Sequence, residues 1–246
     1  MARLTGKVAL VTGGSRGIGA AIAKRLAADG ADVALTYTNS PAKADAVVAE
    51  IGALGRKGLA LAADSADAAA VTGAVERTVE AFGRIDILVN NAGIFVGGSL
   101  DNDTLEDIDR TLAVNVRAVY VGSQAAARHM GKGGRIISIG SCLAELVGDP
   151  GMTLYSMSKA ALIGMTKGMA RDLGARGITV NIVHPGPTDT DMNPAEGAHA
   201  DKQRAKLAVG HYGEAADIAA AVAYLAGAEA GFVTGASLAV DGGFAA

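Results

Sequence analysis

The stretch Thr12-Gly13-Gly14-Ser15-Arg16-Gly17-Ile18-Gly19 stands between two runs of different period. Before it, Lys7 to Val11 is a short apolar run that predicts a strand. After it, Gly17 to Asp29 carries Ile18, Ile22 and Leu26 at i, i+4 and i+8, which predicts a helix. Glycines between a strand and a helix let the backbone come close to a phosphate. The first N–H groups of the helix add free donors and a partial positive charge. The spacing is G-x-x-x-G-x-G rather than G-x-G-x-x-G, and a glycine pattern alone means little. Here it follows a strand, opens a helix and begins an alternating chain, which is the context that dinucleotide binding needs. Gly13, Ser15, Arg16, Gly17, Ile18 and Gly19 are therefore candidate cofactor contacts, with Gly19 leaving room for packing against sheet or ligand.

Outward from this loop the alternation continues to the end of the chain. Asp32–Tyr37, Leu59–Ala62, Ile85–Asn90, Arg135–Ile139, Thr179–Val183 and Ser237–Val240 predict further strands. Helices are predicted between them, among them Ala42–Leu54, Leu105–Met130 and Tyr155–Gly174. Gly30, Gly83, Gly131, Gly174 and Gly177 mark helix ends. Nearly all-apolar strands alternating with helices imply a mainly parallel, seven-stranded sheet covered on both faces. The expected fold is α/β, a single doubly wound, Rossmann-like domain over residues 1–246. One stretch fits poorly. Asp189 to Gly213 is polar and loosely periodic, and reads either as a lid over a site or as a long surface excursion.

Composition excludes several classes. The chain has 246 residues, half of them apolar and 19% charged, with mean hydropathy +0.30, so it can build a core and is not disordered. A net charge of −3 without a basic stripe argues against a nucleic-acid partner. No apolar stretch is long enough to span a membrane. Met1 to Lys7 lack a signal-peptide pattern. The single cysteine, Cys142, excludes an internal disulfide, and His129, His184, His199 and His211 have no metal-ligand spacing, so no metal is expected. A cytoplasmic enzyme is the expectation.

Cofactor choice follows from charge. A site for NAD usually ends its second strand in a carboxylate that holds the ribose 2′-hydroxyl. This strand ends Thr36-Tyr37-Thr38-Asn39-Ser40, with no acid. Arg16 is either a solvated loop charge or a partner for a 2′-phosphate, with Asn39 or Ser40 adding hydrogen bonds; the second reading predicts NADP(H) in preference to NAD(H). Tyr37 lies beside them. Asp64, followed by Ser65, either accepts from the adenine amino group or caps the helix beginning near Ala66.

Tyr155-Ser156-Met157-Ser158-Lys159 places a phenol and an ammonium one helical turn apart. A free tyrosine titrates near pH ~10, too high for efficient proton transfer at neutral pH, and a nearby cation would favour the tyrosinate. Such a pair occurs by chance in many helices. In order along the chain, however, stand Thr12 to Gly19, Asn90-Asn91-Ala92-Gly93, Asn115 within Val114-Asn115-Val116, Ser141 within Ile139-Gly140-Ser141, Tyr155 to Lys159, and Pro185-Gly186. With these motifs the whole chain resembles the short-chain dehydrogenase/reductase family, including its 3-oxoacyl-carrier-protein reductases.

The resemblance implies hydride transfer between a nicotinamide and a ketone or secondary alcohol. It assigns Ser141 to the substrate oxygen and Tyr155 to proton transfer. Lys159 would lower the tyrosine and hold the nicotinamide ribose, and Asn115 would hold a water leading to solvent. Pro185, Gly186, Thr188 and Thr190 would fix the nicotinamide amide. Asn90 and Gly93, with Ala92, would line the cleft, while Asn91 would touch the cofactor or mainly brace strands. The resemblance also implies a homotetramer that buries the helices around Leu105–Met130 and Tyr155–Gly174, with a small carbonyl or alcohol substrate as the other partner.

Thr188 stands where the family often has a branched aliphatic residue. Cys142, Leu143, Glu145, Leu146, Val147 and Met152 are candidates for the substrate pocket, Glu145 either selecting a polar substrate or facing solvent. His184 either touches the cleft or packs structurally. A second reading is a nucleotide-binding or sensing protein with little turnover. The segments Pro185–Pro194 and Asp241–Ala246 are similar to a subgroup that includes a bacterial biofilm-dispersal protein.

Overall fold

The computed structural model describes residues 3–246, so Met1 and Ala2, the start of the stretch without a signal-peptide pattern, lie outside it. Seven strands form one sheet in the order β3-β2-β1-β4-β5-β6-β7, every neighbouring pair parallel. They are β1 Val8–Val11, β2 Asp32–Tyr37, β3 Gly58–Ala62, β4 Ile87–Asn90, β5 Arg135–Ile139, β6 Thr179–Pro185 and β7 Ser237–Val240. The helices are α1 Gly17–Ala28, α2 Pro41–Ala53, α3 Ala68–Phe82, α4 Leu105–Leu112, α5 Ala118–His129, α6 Thr153–Gly174, α7 Ala198–Arg204 and α8 Ala215–Ala226.

The pleat divides each strand between two cores. Ala9, Val11, Val33, Leu35, Val89 and Ile137 face α1, α2 and α8 with Ile22, Leu26, Ile51 and Val222. Leu10, Ala34, Leu88, Ile136 and Val180 face the other layer with Ala74, Val75, Ala125, Ala126 and Ala170. Two buried faces explain why these strands read as apolar runs without alternation. The small alanines bring helices close to the sheet, a route to dense packing in a chain with few aromatics. The chain order reverses between β1 and β4, so the carboxyl ends of those strands open the crevice where such sheets bind ligands.

Two expectations change in detail. The helix predicted over Leu105–Met130 is not continuous: a π-helical turn, Ala113–Arg117, separates α4 from α5 and contains Asn115. The stretch Asp189–Gly213 contains α7, and a parallel bridge from Thr188 to Gly213 pins its two ends together. Gly30, Gly83 and Gly177 take positive φ, whereas Gly131 and Gly174 do not, and Gly174 is the last residue of α6. Among the described residues no helix is long and apolar enough to cross a membrane, and no cluster of His, Cys, Asp or Glu could hold a metal.

Candidate active site

The glycine loop is held from three sides. Gly13 N–H donates to Thr36 Oγ1 at 2.9 Å, and Gly14 N–H to the Thr36 carbonyl at 2.9 Å. Asn91 Nδ2 donates to the Thr12 and Gly13 carbonyls at 2.9 and 3.1 Å. A Cβ at Gly19 would lie 2.4 Å from the Gly13 carbonyl and 2.5 Å from Asn91 Nδ2, so only glycine fits there. Arg16 is the N-cap of α1 and its side chain makes no cap bond, so the first-turn donors at Gly17 and Ile18 stay open to a ligand. This cradle suits a pyrophosphate. Thr190 lies directly against it, its methyl 3.4 Å from the position of a Cβ on Gly17.

The other expected cofactor residues divide. Arg16 and Asn39 are exposed, and Ser40, the N-cap of α2, makes no side-chain cap bond, so its hydroxyl is available. Tyr37 packs partly into the core beneath them. Asp64 is exposed and accepts from Ala66 N–H at 2.9 Å, a turn ahead of α3, whose true cap is Asp67. The helix thus begins at Ala68 rather than near Ala66. Ala92 N–H is bound by Thr12 Oγ1 at 3.0 Å. Asn90 is buried and donates to Ser123 Oγ at 3.0 Å on α5, so its side chain is committed to the scaffold. Thr188 is also buried, its hydroxyl turned back to the Gly186 carbonyl at 2.9 Å. Pro185 ends β6, and Gly186 packs so tightly on Asp241 that a Cβ would come within 2.6 Å of backbone.

Asn115, Ser141, Tyr155 and Lys159 come together at the carboxyl ends of β4 and β5. Tyr155 and Lys159 stand in the first turns of α6, which places Lys159 beneath the end of β5. Its Nζ donates to the Ile139 carbonyl at 3.0 Å and lies 5.8 Å from the Tyr155 ring centre. The Ser141 hydroxyl accepts from Leu143 N–H at 3.2 Å and stands close enough to the Tyr155 phenol to favour its ionised form. Phe95 meets the Tyr155 ring edge-on, centroids 5.1 Å apart. Both Asn115 donors are used: Nδ2 donates to the Ile94 carbonyl and to Ser158 Oγ, both at 3.0 Å, while Oδ1 accepts from Ile94 N–H at 2.9 Å. Gly93 lies among them, since a Cβ there would be 3.3 Å from Lys159 Nζ and 3.4 Å from Asn115 Oδ1.

Burial sets the protonation states. It pushes the Tyr155 phenol up to about 12, against the pull of the Ser141 hydroxyl, and pushes the Lys159 ammonium down to about 8. The tyrosine thus stands above its ordinary value rather than below it, because removal from water costs the tyrosinate more than the Ser141 hydroxyl returns. At neutral pH Tyr155 holds its proton, the form that can donate to a carbonyl oxygen, and Lys159 is still charged.

Of the two readings of His184, structural packing holds. It is buried, its ring fills the space where a Gly140 side chain would stand, and Nδ1 lies 3.2 Å from Ser141 N and 2.9 Å from Ser141 O. It therefore braces the serine's main chain, and burial keeps its pKa below the ordinary histidine range. The pocket candidates also divide. Cys142 is buried against Ala200, Leu207, Tyr212 and Phe244, its thiol pushed up to about 11 by burial. Glu145, Leu146 and Val147 are exposed, which favours the solvent-facing reading of Glu145. Phe244, in the segment Asp241–Ala246 already singled out, packs into this cluster beside Cys142.

A family description for enoyl-(acyl carrier protein) reductases matches residues 13–245. In sequence, the chain is 47% identical over 246 residues to the cyclic-di-GMP-binding biofilm dispersal mediator protein of Escherichia coli K12, covering 100% of both. In structure it matches a short-chain dehydrogenase from Burkholderia cenocepacia J2315 in complex with NADP at 68% identity and a TM-score of 0.98, over 99% of this chain and 100% of the other. A blue fluorescent protein from a metagenomic library in complex with NADPH matches at 61% identity and a TM-score of 0.98, with 99% and 100% covered. Glycine loop, Tyr155–Lys159 pair, parallel sheet and full-length likeness agree: the chain belongs to the short-chain dehydrogenase/reductase family of oxidoreductases.

Proposed function

We propose that the chain is an NADP(H)-dependent carbonyl reductase or alcohol dehydrogenase, with Tyr155 as the acid and base. The observation that carries the reading is the convergence of Ser141, Tyr155 and the buried Lys159 ammonium, whose Nζ lies 5.8 Å from the Tyr155 ring centre and donates to the Ile139 carbonyl at 3.0 Å. The cofactor fits the closely packed glycine cradle and the acid-free end of β2, and structural neighbours were solved with NADP and NADPH. When bound, it supplies or accepts the hydride.

The chain's own residues do the rest. In reduction, Ser141 Oγ donates a hydrogen bond to the carbonyl oxygen and holds it beside Tyr155. As that oxygen becomes an alkoxide, Tyr155 gives up its phenolic proton, and the charge of Lys159 stabilises the tyrosinate left behind. Asn115 keeps the Ile94 backbone and Ser158 fixed around the lysine, on the path by which a water would return the proton. Phe95 shields one edge of the tyrosine. The helices of the catalytic groups assemble in a homotetramer, as the family resemblance implies.

Substitution Tyr155→Phe tests the mechanism. Oxidation of NADPH with activated ketones is expected to fall by roughly three orders of magnitude or more, in line with the loss of a positioned proton donor, while NADPH binding stays nearly intact. Equal turnover in both proteins would remove Tyr155 from the chemistry. A second reading, a nucleotide-binding or sensing protein, is favoured by one observation, the full-length relative named for cyclic-di-GMP binding. Under that reading wild type shows no ketone reduction across a broad panel, and calorimetry finds cyclic-di-GMP binding that survives Tyr155→Phe. The complete set Asn115, Ser141, Tyr155 and Lys159 favours the enzyme.

A further inference from the structure

Ser141 stands where the chain leaves the sheet. Gly140 N–H still donates to the Val183 carbonyl of β6 at 2.7 Å, but Ser141 turns away as the N-cap of the short 3-10 turn Cys142–Ala144. There the strand ladder stops fixing its main chain, and His184 on β6 takes over. The Ser141 N–H donates to His184 Nδ1 at 3.2 Å. The same Nδ1 lies 2.9 Å from the Ser141 carbonyl oxygen, which also accepts from Ala144 N–H at 3.0 Å. The imidazole is 1% exposed. A Cβ on Gly140 would lie 2.5 Å from Nδ1 and 2.7 Å from Cε1, so the glycine before the serine is what admits the ring.

Packing accounts for where the ring sits but not for its chemistry. Nε2 is buried and has no hydrogen-bond partner among the described residues, so the polar contacts of the side chain all go to Ser141. An unpaired polar atom in the interior costs stability that an aliphatic side chain of similar size would not. A cost of this kind is the mark of a position kept for function. Burial holds the imidazole below the ordinary histidine range, against the Ser141 main chain, Glu145 and Asp241 and together with the charge of Lys159. The ring is therefore neutral at neutral pH, the form whose Nδ1 can accept from an N–H.

We propose that His184 is a positioning residue for catalysis, acting through the Ser141 main chain to aim the Ser141 hydroxyl at the substrate oxygen. The inference rests on the carbonyl-reductase reading and deepens it. Only Cα and Cβ separate the nitrogen that His184 holds from the hydroxyl, so a shift of the main chain carries the hydroxyl with it. Catalysis is sensitive on that scale, since a misplacement of roughly 1 Å can cost about a hundredfold in rate.

Steady-state ketone reduction by the whole protein, in a double-mutant cycle with Ser141, tests the proposal. His184→Leu removes Nδ1 and keeps much of the bulk. It is expected to lower kcat by roughly 10- to 100-fold while KM and NADPH affinity change by less than about threefold, the pattern of a group that matters in the transition state. His184→Asn, whose amide can meet either the N–H or the carbonyl of Ser141, is expected to restore kcat to within about threefold of wild type. In a Ser141→Ala background His184→Leu is expected to cost less than about twofold, because the hydroxyl it aims is gone. A purely structural histidine would cost the same in both backgrounds.

The positioning role is overturned if His184→Leu leaves kcat unchanged, or if it lowers kcat equally with and without the serine hydroxyl. It is also overturned if NADPH binding weakens by the factor by which kcat falls, which would place the effect at the adjoining Pro185-Gly186. Each of these results keeps the carbonyl-reductase reading, because wild type still turns over. Should His184→Leu not fold, Gly140→Ala takes its place in the same cycle, since it keeps the histidine and forces the ring aside. A wild type that binds NADPH but reduces no ketone across a broad panel sinks the parent reading, and the positioning role with it.

Discussion

Lys159 is a cation placed deep inside the protein, and its position has a measurable consequence. Burial pushes it down to about 8 from an ordinary value of 10.5. Ketone reduction needs the charged lysine to stabilise the tyrosinate, so the rate is expected to hold below pH ~8 and to fall above it. A profile flat to pH ~10 would contradict this role. Stability carries the same signature with a definite sign. The unfolded chain binds the proton up to about 10.5 and the folded chain only to about 8, so the destabilisation is present in full below pH ~8 and fades as pH rises between the two values. Lys159→Met is accordingly expected to raise the melting temperature most at pH 7 and progressively less toward pH 10, while abolishing turnover. An unchanged or pH-independent difference would mean that the ammonium is better solvated than its surroundings suggest. The residues of this site were legible because they sit in short motifs whose spacing chemistry constrains. The structural reading of His184 holds, but its particular partner, the Ser141 main chain, lies 43 positions away in sequence and has no local signal.

At the scale of elements, the π-helical turn Ala113–Arg117 does what a regular helix could not. One extra residue in the turn breaks the ladder between α4 and α5 and turns Asn115 toward the Ile94 backbone and Ser158. Removing the amide would leave the Ile94 N–H and carbonyl, and the Ser158 hydroxyl, without this partner in a buried place. Asn115→Leu is expected to cost about 2–4 kcal/mol of stability, the scale of unsatisfied buried polar groups and lost charge-free hydrogen bonds. Its kcat should fall more than its KM rises, because Gly93 and Lys159 lose their spacing. A variant with lower stability but unaltered kcat would confine Asn115 to a structural part.

Strand positions were read within a residue or two from apolar runs, since burial on both faces removes ambiguity about which side points inward. The π turn escaped because Leu105–Met130 has an uninterrupted apolar period, and a single-residue insertion of this kind leaves no mark on periodicity. The segment 189–213 escaped for a different reason. Its anchors, among them Phe244 and Cys142, belong to distant parts of the chain and pack together only once the sheet has brought its carboxyl ends into one place.

For the whole molecule, the open question is what covers α5 and α6. A groove of about 310 Å³ runs between them, lined by Tyr120, Gln124, Arg128, Met169 and Leu173 among others. Tyr120, Leu105, Leu112 and Met157, on the elements that form the catalytic centre, are 52%, 78%, 36% and 46% exposed. So many large apolar side chains on α4, α5 and α6 are more than solitary surface residues require, and they suit a symmetric contact with a second copy. Light scattering on the purified chain is expected to give four times the 24.4 kDa mass of one chain. Tyr120→Glu, which would bury a carboxylate at such a contact, is expected to shift the population to smaller species and to lower kcat. Asn115, Tyr155 and Lys159 stand on these same elements, so loss of the contact would loosen the groups whose spacing the chemistry depends on. A wild-type monomer at micromolar concentration would refute the assembly. A tetramer that survives Tyr120→Glu with full activity would move the contact to another face, where the fully exposed Phe232 beside β7 is the next apolar feature to cover.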